Sequence, residues 1–402
     1  MAQEKEIKNF VFNYTDGTSE TVEKGFFCKI KDEPNGEATL SFEMVGVSGK
    51  GLTQIVLGCV ELGVRLGMFD KKRKRGNKRM SNTKESVVLK YDDMGIPSIM
   101  LKVENTAKTP EEADRMFFVR GVEYDAVYLS RFVNCVQNGR AYSLPLMDPK
   151  VSIDMDDAIA ACRKKGAGWH LMTAIEWNWL RKHTNPDVHG NTWKGHYYND
   201  ETEVGINVPN TWRTLTGSGP ASWFHNGNKE TGVADVIGLV WKMIAGIRLK
   251  NGVFQYMPDN DAAHPEADLS ERSQEFKEVY IDDLPFPDPV KIGPGEDGLM
   301  ITTSGEVEGW DAVRRRDVVV DLPADKIPEI LKDLGIITEG MDKDNAWFAA
   351  DASLDEAVCY VSGSYNSTSH PGPSALHLSS PRSSVWSHIG FFSACLGEPV
   401  IR

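Results

Sequence analysis

The sequence predicts an α+β protein in two parts, a smaller domain over residues 1–112 and a larger one over 113–402. Three observations carry this expectation. Residues 1–112 hold several short strand-like runs and one helical stretch. Two short helices with strong start signals fall between 154 and 182. From 193 to 241 tryptophan, glycine, asparagine and threonine prevail with little periodicity, the composition of a loop-dominated fold pinned by large rings.

In the first domain, residues 10–14, 25–30 and 38–42 read as strands separated by turn residues. Residues 52–68 read as a helix, because Leu52, Ile55, Val56, Cys59, Leu62 and Leu66 recur every three or four positions. Gly58, Gly63 and Gly67 weaken it in isolation, so packing must hold it, in the core or against a second copy. Residues 87–91 and 99–103 suggest two more strands. The polar stretch 106–114 holds Pro110 and marks the boundary.

The second domain opens with apolar, aromatic runs at 116–119 and 126–129. In its first helix Asp154 caps, and Met155, Ala158, Ile159 and Cys162 form a narrow apolar stripe. Lys164 and Lys165 suit the negative end of the helix dipole, and Gly166 ends it. In the second helix Thr173-Ala-Ile-Glu176 is a capping box, with Ile175, Trp177, Trp179 and Leu180 as the apolar body. Residues 260–355 read as an insertion, acidic and proline-rich at 282–289. A short helix is expected at 327–334, with Pro328 in its first turn and Gly335 after it.

Composition narrows the function. A net charge of −13 argues against a nucleic-acid partner, since phosphate binding needs a basic surface. The basic run 71–79 is the exception and reads as a solvated loop. Cys28, Cys59, Cys135, Cys162, Cys359 and Cys395 are scattered without a CxxC, so neither a disulfide framework nor a zinc site is indicated, and reduced, buried thiols are expected. No apolar run reaches the roughly 20 residues of a membrane span, and residues 1–10 lack the apolar core of a secretory signal. Asp235 and Asp259-Asn-Asp261 have no spacing that specifies a calcium site and read as turns.

Three stretches carry a family resemblance. Gly168-Trp-His-Leu-Met-Thr-Ala-Ile-Glu-Trp177 is similar to a "G-W/R-L-x-T-x-x-E-W" helix start. Gly232-Val-Ala-Asp-Val-Ile-Gly-Leu-Val-Trp241 resembles "G-x-x-D-x-x-G-N-V-W-E-W", with Leu239 for Asn and Lys242 for Glu. Ser362-Gly-Ser-Tyr-Asn366, Ala375-Leu-His-Leu378 and Ile389-Gly-Phe391 resemble the segments of a terminal variable region. Together, over about 116–260 and 345–396, they resemble the formylglycine-generating-enzyme-like branch of the C-type lectin fold. More narrowly, they resemble the variable proteins of diversity-generating retroelements, common in phages and prophages. The resemblance implies a C-type-lectin-like domain with a diversified surface around 360–396. Glu33-Pro-Asn35 matches the sugar-binding signature of true C-type lectins, but it lies in the wrong domain and reads as a turn.

The terminal stretch has its own chemistry. From Ser362 to His388 there are ten serines and three histidines, and Arg382 is the one charged residue. A charged fraction of 26% would place about seven there. Apolar residues at 375–378 and 389–391 are embedded in it, so the stretch reads as an adaptable contact surface on a fixed frame. The family's mutagenesis acts at template adenines, and asparagine codons can then yield serine, histidine, tyrosine or phenylalanine. Ser367, His370, His377, Ser379, Ser380, Ser384 and His388 stand where the family reads asparagine. Tyr365 and Phe392 stand at other family positions reachable from such codons, whereas Trp386 is not reachable.

The expected ligand-binding set is therefore Ser362, Ser364, Tyr365, Ser367, Ser369, His370, Ser374, His377, Ser379, Ser380, Ser384, Trp386, His388 and Phe392. The aromatic members would be rigid anchors worth ~1–3 kcal/mol each if central. Trp386 and Tyr365 are expected on the surface, where truncation leaves stability nearly unchanged. No catalytic residue, metal or cofactor is expected. The partner would be a protein or glycan receptor, met at a phage tail or bacterial surface by a monomer or trimer. Two alternatives are a formylglycine-generating-type oxidase and a structural decoration protein of a virion. The oxidase needs closely spaced cysteines to hold copper, whereas serines fill the interval between Cys359 and Cys395.

Overall fold

Among the described residues of the first unit, 1–71, antiparallel pairing joins sequence neighbours. Strand β1 (Phe10–Asn13) pairs with β2 (Ser19–Val22), and β3 (Gly25–Asp32) with β4 (Ala38–Val45). The first turn closes because Asp16 Oδ1 accepts from the Thr18 amide at 2.9 Å and Gly17 adopts φ 86°. The computed structural model describes residues 10–22, 25–32, 38–45, 82–184, 205–281, 288–296, 298–367 and 372–401. The helix expected at 52–68, the basic run 71–79 and Glu33-Pro-Asn35 lie outside the described residues.

The second unit spans 72–402, and the domain boundary expected at 112 does not hold. Strands β5 (Thr83–Tyr91) and β6 (Pro97–Asn105) form a hairpin, turned by Asp92 Oδ1 accepting from the Met94 and Ile96 amides. Strand β6 then pairs with β9 (Ala126–Ser130), which draws the hairpin into the second unit. Small pairs β7 (Phe118–Val119) with β8 (Val122–Glu123) and β10 (Cys135–Gln137) with β11 (Arg140–Tyr142) flank β9. With β12 (Trp169–Leu171) and β24 (Ser393–Leu396), a five-stranded antiparallel sheet forms in the order β12-β24-β9-β6-β5.

The larger sheet contains β13 (Trp241–Lys250), β14 (Val253–Tyr256), β15 (Lys277–Glu278), β16 (Lys291–Gly295), β17 (Gly298–Thr302), β18 (Trp310–Arg314), β19 (Val319–Asp321), β20 (Trp347–Asp351), β21 (Ala357–Val361), β22 (Leu376–Ser380) and β23 (Ile389–Phe391). Its order is β18-β20-β22-β21-β13-β14-β16-β17-β19, with β23 added beside β13 and β15 beside β14. The stretch expected as an insertion is thus built into this sheet, where β20 lies directly against β22. The chain is α+β, with three short α-helices among the described residues.

Helix α1 (Met155–Arg163) starts as its sequence predicts, with the Asp154 carboxylate accepting from the Asp157 amide at 2.8 Å. Helix α2 (Ala174–Lys182) has the complete Thr173/Glu176 capping box. Helix α3 (Glu329–Asp333) begins one residue after Pro328. Lys165 is not a surface partner of the α1 dipole. It is buried, with Nζ on Ser98 Oγ at 2.7 Å and 3.2 Å from the Trp169 ring centre. Burial brings its ammonium down to about 7.

Core residues sort by strand alternation. Ile244, Cys359, Val361, Leu376 and Leu378 join Trp177 and Leu180 of α2 in one cluster. Their neighbours Met243, Val358 and Tyr360, with Trp241 and Ile389, join Ile159 and Cys162 of α1 in another. Each helix therefore supplies cover for a different face. The irregular stretch 205–240 has Trp223 buried within it, whereas Trp212 is 54% exposed. Among the described residues no helix is long and apolar enough to cross a membrane.

One buried polar network joins distant segments. Glu176 Oε1 accepts from Asn260 Nδ2 at 2.9 Å and faces His170 Nε2 at 2.8 Å, while Oε2 accepts from the Thr173 amide. Asn260 also donates to the Met116 carbonyl and accepts from Thr173 Oγ1. Asp259-Asn-Asp261 is indeed a turn, with Asn260 directed into this network. Burial alone would raise the Glu176 carboxyl, but the charge and hydrogen bonds of His170, with those of Asn260 and Thr173, outweigh it and lower it. Its contribution to stability is complete above its ordinary value of 4.5 and is lost as the pH falls through the lowered one. Glu176→Ala is expected to cost about 3–5 kcal/mol at neutral pH, as measured by denaturant unfolding.

Candidate functional site

The sheet leaves an aromatic and hydroxylic surface where the cover on the Tyr360 face ends. Tyr360 and His377 are opposite each other on β21 and β22, with rings stacked at 5.5 Å and 24°. Trp241 approaches the same imidazole at 5.5 Å. Beyond this pair the register slips, since Val358 faces Ser380, so β22 carries one extra residue between His377 and Ser380. Directly opposed residues share a face, and the bulge thus returns Ser380 to the side of His377. Ser379 Oγ lies 3.2 Å from His377 Nε2. The Ser380 and Ser384 side chains lie close to the Tyr360 hydroxyl.

A second group adjoins it from the connection between β22 and β23. Trp386 is 53% exposed and stacks on His388 at 6.0 Å and 29°. Tyr365 meets the His388 ring edge-on at 6.4 Å, and its hydroxyl lies 3.2 Å from Ser387 Oγ. The backbone here is fixed: the Trp386 carbonyl accepts from the amides of Ser152 and Ile389. Burial, then the neighbouring His388, brings the His377 imidazole down to about 4, and burial lowers His388 as well. Both rings are consequently neutral near pH 7, and each offers one donor and one acceptor.

The structure divides the expected ligand-binding set. It brings together Tyr365, His377, Ser379, Ser380, Ser384, Trp386 and His388. Tyr365, expected on the surface, is 8% exposed and presents little more than its edge, because its ring packs inward beside His388. Ser380 is also 8% exposed and presents little to a partner.

The others serve the frame. Phe392 is fully buried in the α2-side core and is not a contact residue. Ser362 is fully buried on Lys242, and Ser364 is buried in a turn, its amide donating to Ser367 Oγ at 3.0 Å. Ser367 is half-buried in that turn. Ser374 donates to Asp344 and borders a cleft with Trp177 and Arg181, away from the Trp386 group. Ser369 and His370 lie outside the described residues.

Trp241, Tyr360 and Ser387 were absent from the expected set. Tyr360 and Trp241 sit in apolar strands and read as core; only the pairing with β22 brings them beside His377. The two small clefts beside α2, of about 40 and 10 Å³, have room for a water or so. The Trp386 group lines neither of these two clefts.

The cysteines Cys135, Cys162, Cys359 and Cys395 are free and buried. Cys359 lies on β21 and Cys395 on β24, in different sheets, and burial pushes the Cys395 thiol up to about 11. Among the described residues no group of three or more histidine, cysteine, aspartate or glutamate side chains is placed to hold a metal ion. No protein-family model matches the chain, and no curated protein matches it in sequence.

Two outcomes follow for stability and titration. Trp386→Ala should change unfolding free energy by no more than about 0.5 kcal/mol, whereas Tyr365→Ala should cost about 3 kcal/mol, both read from urea denaturation. By NMR, His377 should titrate with a midpoint of about 4 in place of 6.5. Because the folded value is the lower one, His377 destabilises the fold progressively as the pH drops from 6.5 towards 4.

Proposed function

We propose that this chain is a recognition protein that binds a macromolecular receptor through the face formed by His377, Ser379, Ser384, Trp386 and His388. The observation that carries this reading is the exposed Trp386 ring, stacked on a neutral imidazole amid serine hydroxyls on a backbone tied at both sides. Rigid aromatic area with small adaptable hydrogen-bonding groups is the composition of a contact surface that can be varied. An exposed ring set among small polar groups suits the broad surface of a protein or glycan.

In this reading the second unit is a C-type-lectin-like domain, and the chain is a variable protein of a diversity-generating retroelement, working at a phage tail or bacterial surface. The three sequence motifs support it, as does the placement of several expected variable positions on one face. The oxidase alternative gains no support from Cys359 and Cys395, which lie in separate sheets with protonated thiols.

The test is binding of the purified chain to an array of bacterial envelope proteins and glycans. Replacing Trp386 by alanine should weaken any specific signal by about tenfold or more, and Ser384→Arg should abolish it by placing a bulky charge in the contact. Signals indifferent to both changes would sink the reading. A non-coding near-copy of the segment encoding 362–392, differing at adenines beside a reverse transcriptase gene, is the corresponding genomic expectation.

A further inference from the structure

The connection between β21 and β22, residues 362–375, starts on a buried cation. Lys242 lies on β13 between Val361 of β21 and Gly390 of β23, and its side chain is fully enclosed. Its Nζ donates to the Gly238 carbonyl at 2.6 Å and to Ser362 Oγ at 2.7 Å. Asp235, equally enclosed, accepts from the Gly217 amide through Oδ2, and its Oδ1 has no hydrogen-bond partner among the described residues. Burial lowers the Lys242 ammonium and raises the Asp235 carboxyl, and the opposite charge of each resists the other's shift.

The backbone around this ammonium is held in unusual conformations. Asp235, Leu239 and Ser362 have φ of 57°, 59° and 85°, a region that L-residues occupy when their surroundings impose it. Ser362 is also the neck of the connection: its amide donates to the Ala375 carbonyl, and its carbonyl accepts from the Gly372 amide, both at 3.0 Å. The Tyr365 amide reaches the Leu239 carbonyl at 3.1 Å. Both ends of the connection and its aromatic residue therefore converge on one short stretch, 238–242.

We propose that Lys242 is the positioning residue of the recognition face: its ammonium holds Ser362 against Gly238, and that point sets the placement of 362–367, with Tyr365, and of 372–375. The proposal rests on the recognition reading for its purpose, though not for its test. An ammonium suits the role because its rotatable donors bind a carbonyl from one segment and a hydroxyl from another. The connection then needs one side chain of its own, the Ser362 hydroxyl, to be secured to β13.

Amide hydrogen exchange of the full chain, resolved over 362–367 and 372–375, decides the matter. Lys242→Met, similar in length and uncharged, should speed exchange at Ser362, Tyr365 and Gly372 by about tenfold or more. Amides of the five-stranded sheet should keep their original rates. Ser362→Ala, which removes one acceptor, should speed the same amides by a smaller factor, and it decides the question if Lys242→Met does not fold. Unchanged exchange at these amides in the deciding variant overturns the proposal. Uniform acceleration across both sheets overturns it too, because that signals general loss of stability. No ligand enters the measurement, so its failure and a failure of the recognition reading are separately visible.

Discussion

The larger sheet is governed by the enclosure of β13. Nine of its ten residues are buried, and β14, β21 and β23 all hydrogen-bond to it. With a core on each side, a strand of this kind has no face to give to a partner. Polar and partly exposed side chains come past the equally buried β21, on β22 and on the connections that leave β21 and β22. His377 and Ser379 gain partial exposure there, while Leu376 and Leu378 of the same strand stay in the α2-side core.

Enclosure also explains the charges found inside. Lys242, Lys165, Arg315 and Glu176 are all fully buried, and each meets acceptors or donors from segments distant in sequence. Arg315 donates to the carbonyls of Ser374, Gly335 and Ile336, and thereby joins β22's approach to the end of α3. Such groups are costly to desolvate and costly to leave alone. They specify which irregular segments may meet, a task that apolar contacts perform with less discrimination.

Local signals were the legible ones. Asp154 and the Thr173/Glu176 box lie within three residues of the amides they cap, so the helix starts could be read directly. The strands of 83–105 are recognisable in the sequence, but the unit they join is not, because their partner β9 lies beyond the polar stretch 106–114. The segment 260–355 likewise looked separable, although β20 is the immediate neighbour of β22. Within the candidate site, a serine-rich stretch does not reveal which of its side chains turn inward. The bulge before Ser380, the inward ring of Tyr365 and the core position of Phe392 all depend on pairing with remote strands.

Arg382, the one formal charge between Ser362 and His388 at neutral pH, is committed inward. Its guanidinium donates to both oxygens of Glu356, to Asp156 and to the Leu269 carbonyl. Nothing ionic from this segment is left to draw a partner across a distance. On the recognition reading, the segment would add no free charge of its own to steer an encounter. The lifetime of such a complex would then rest on how well the two surfaces fit once they touch.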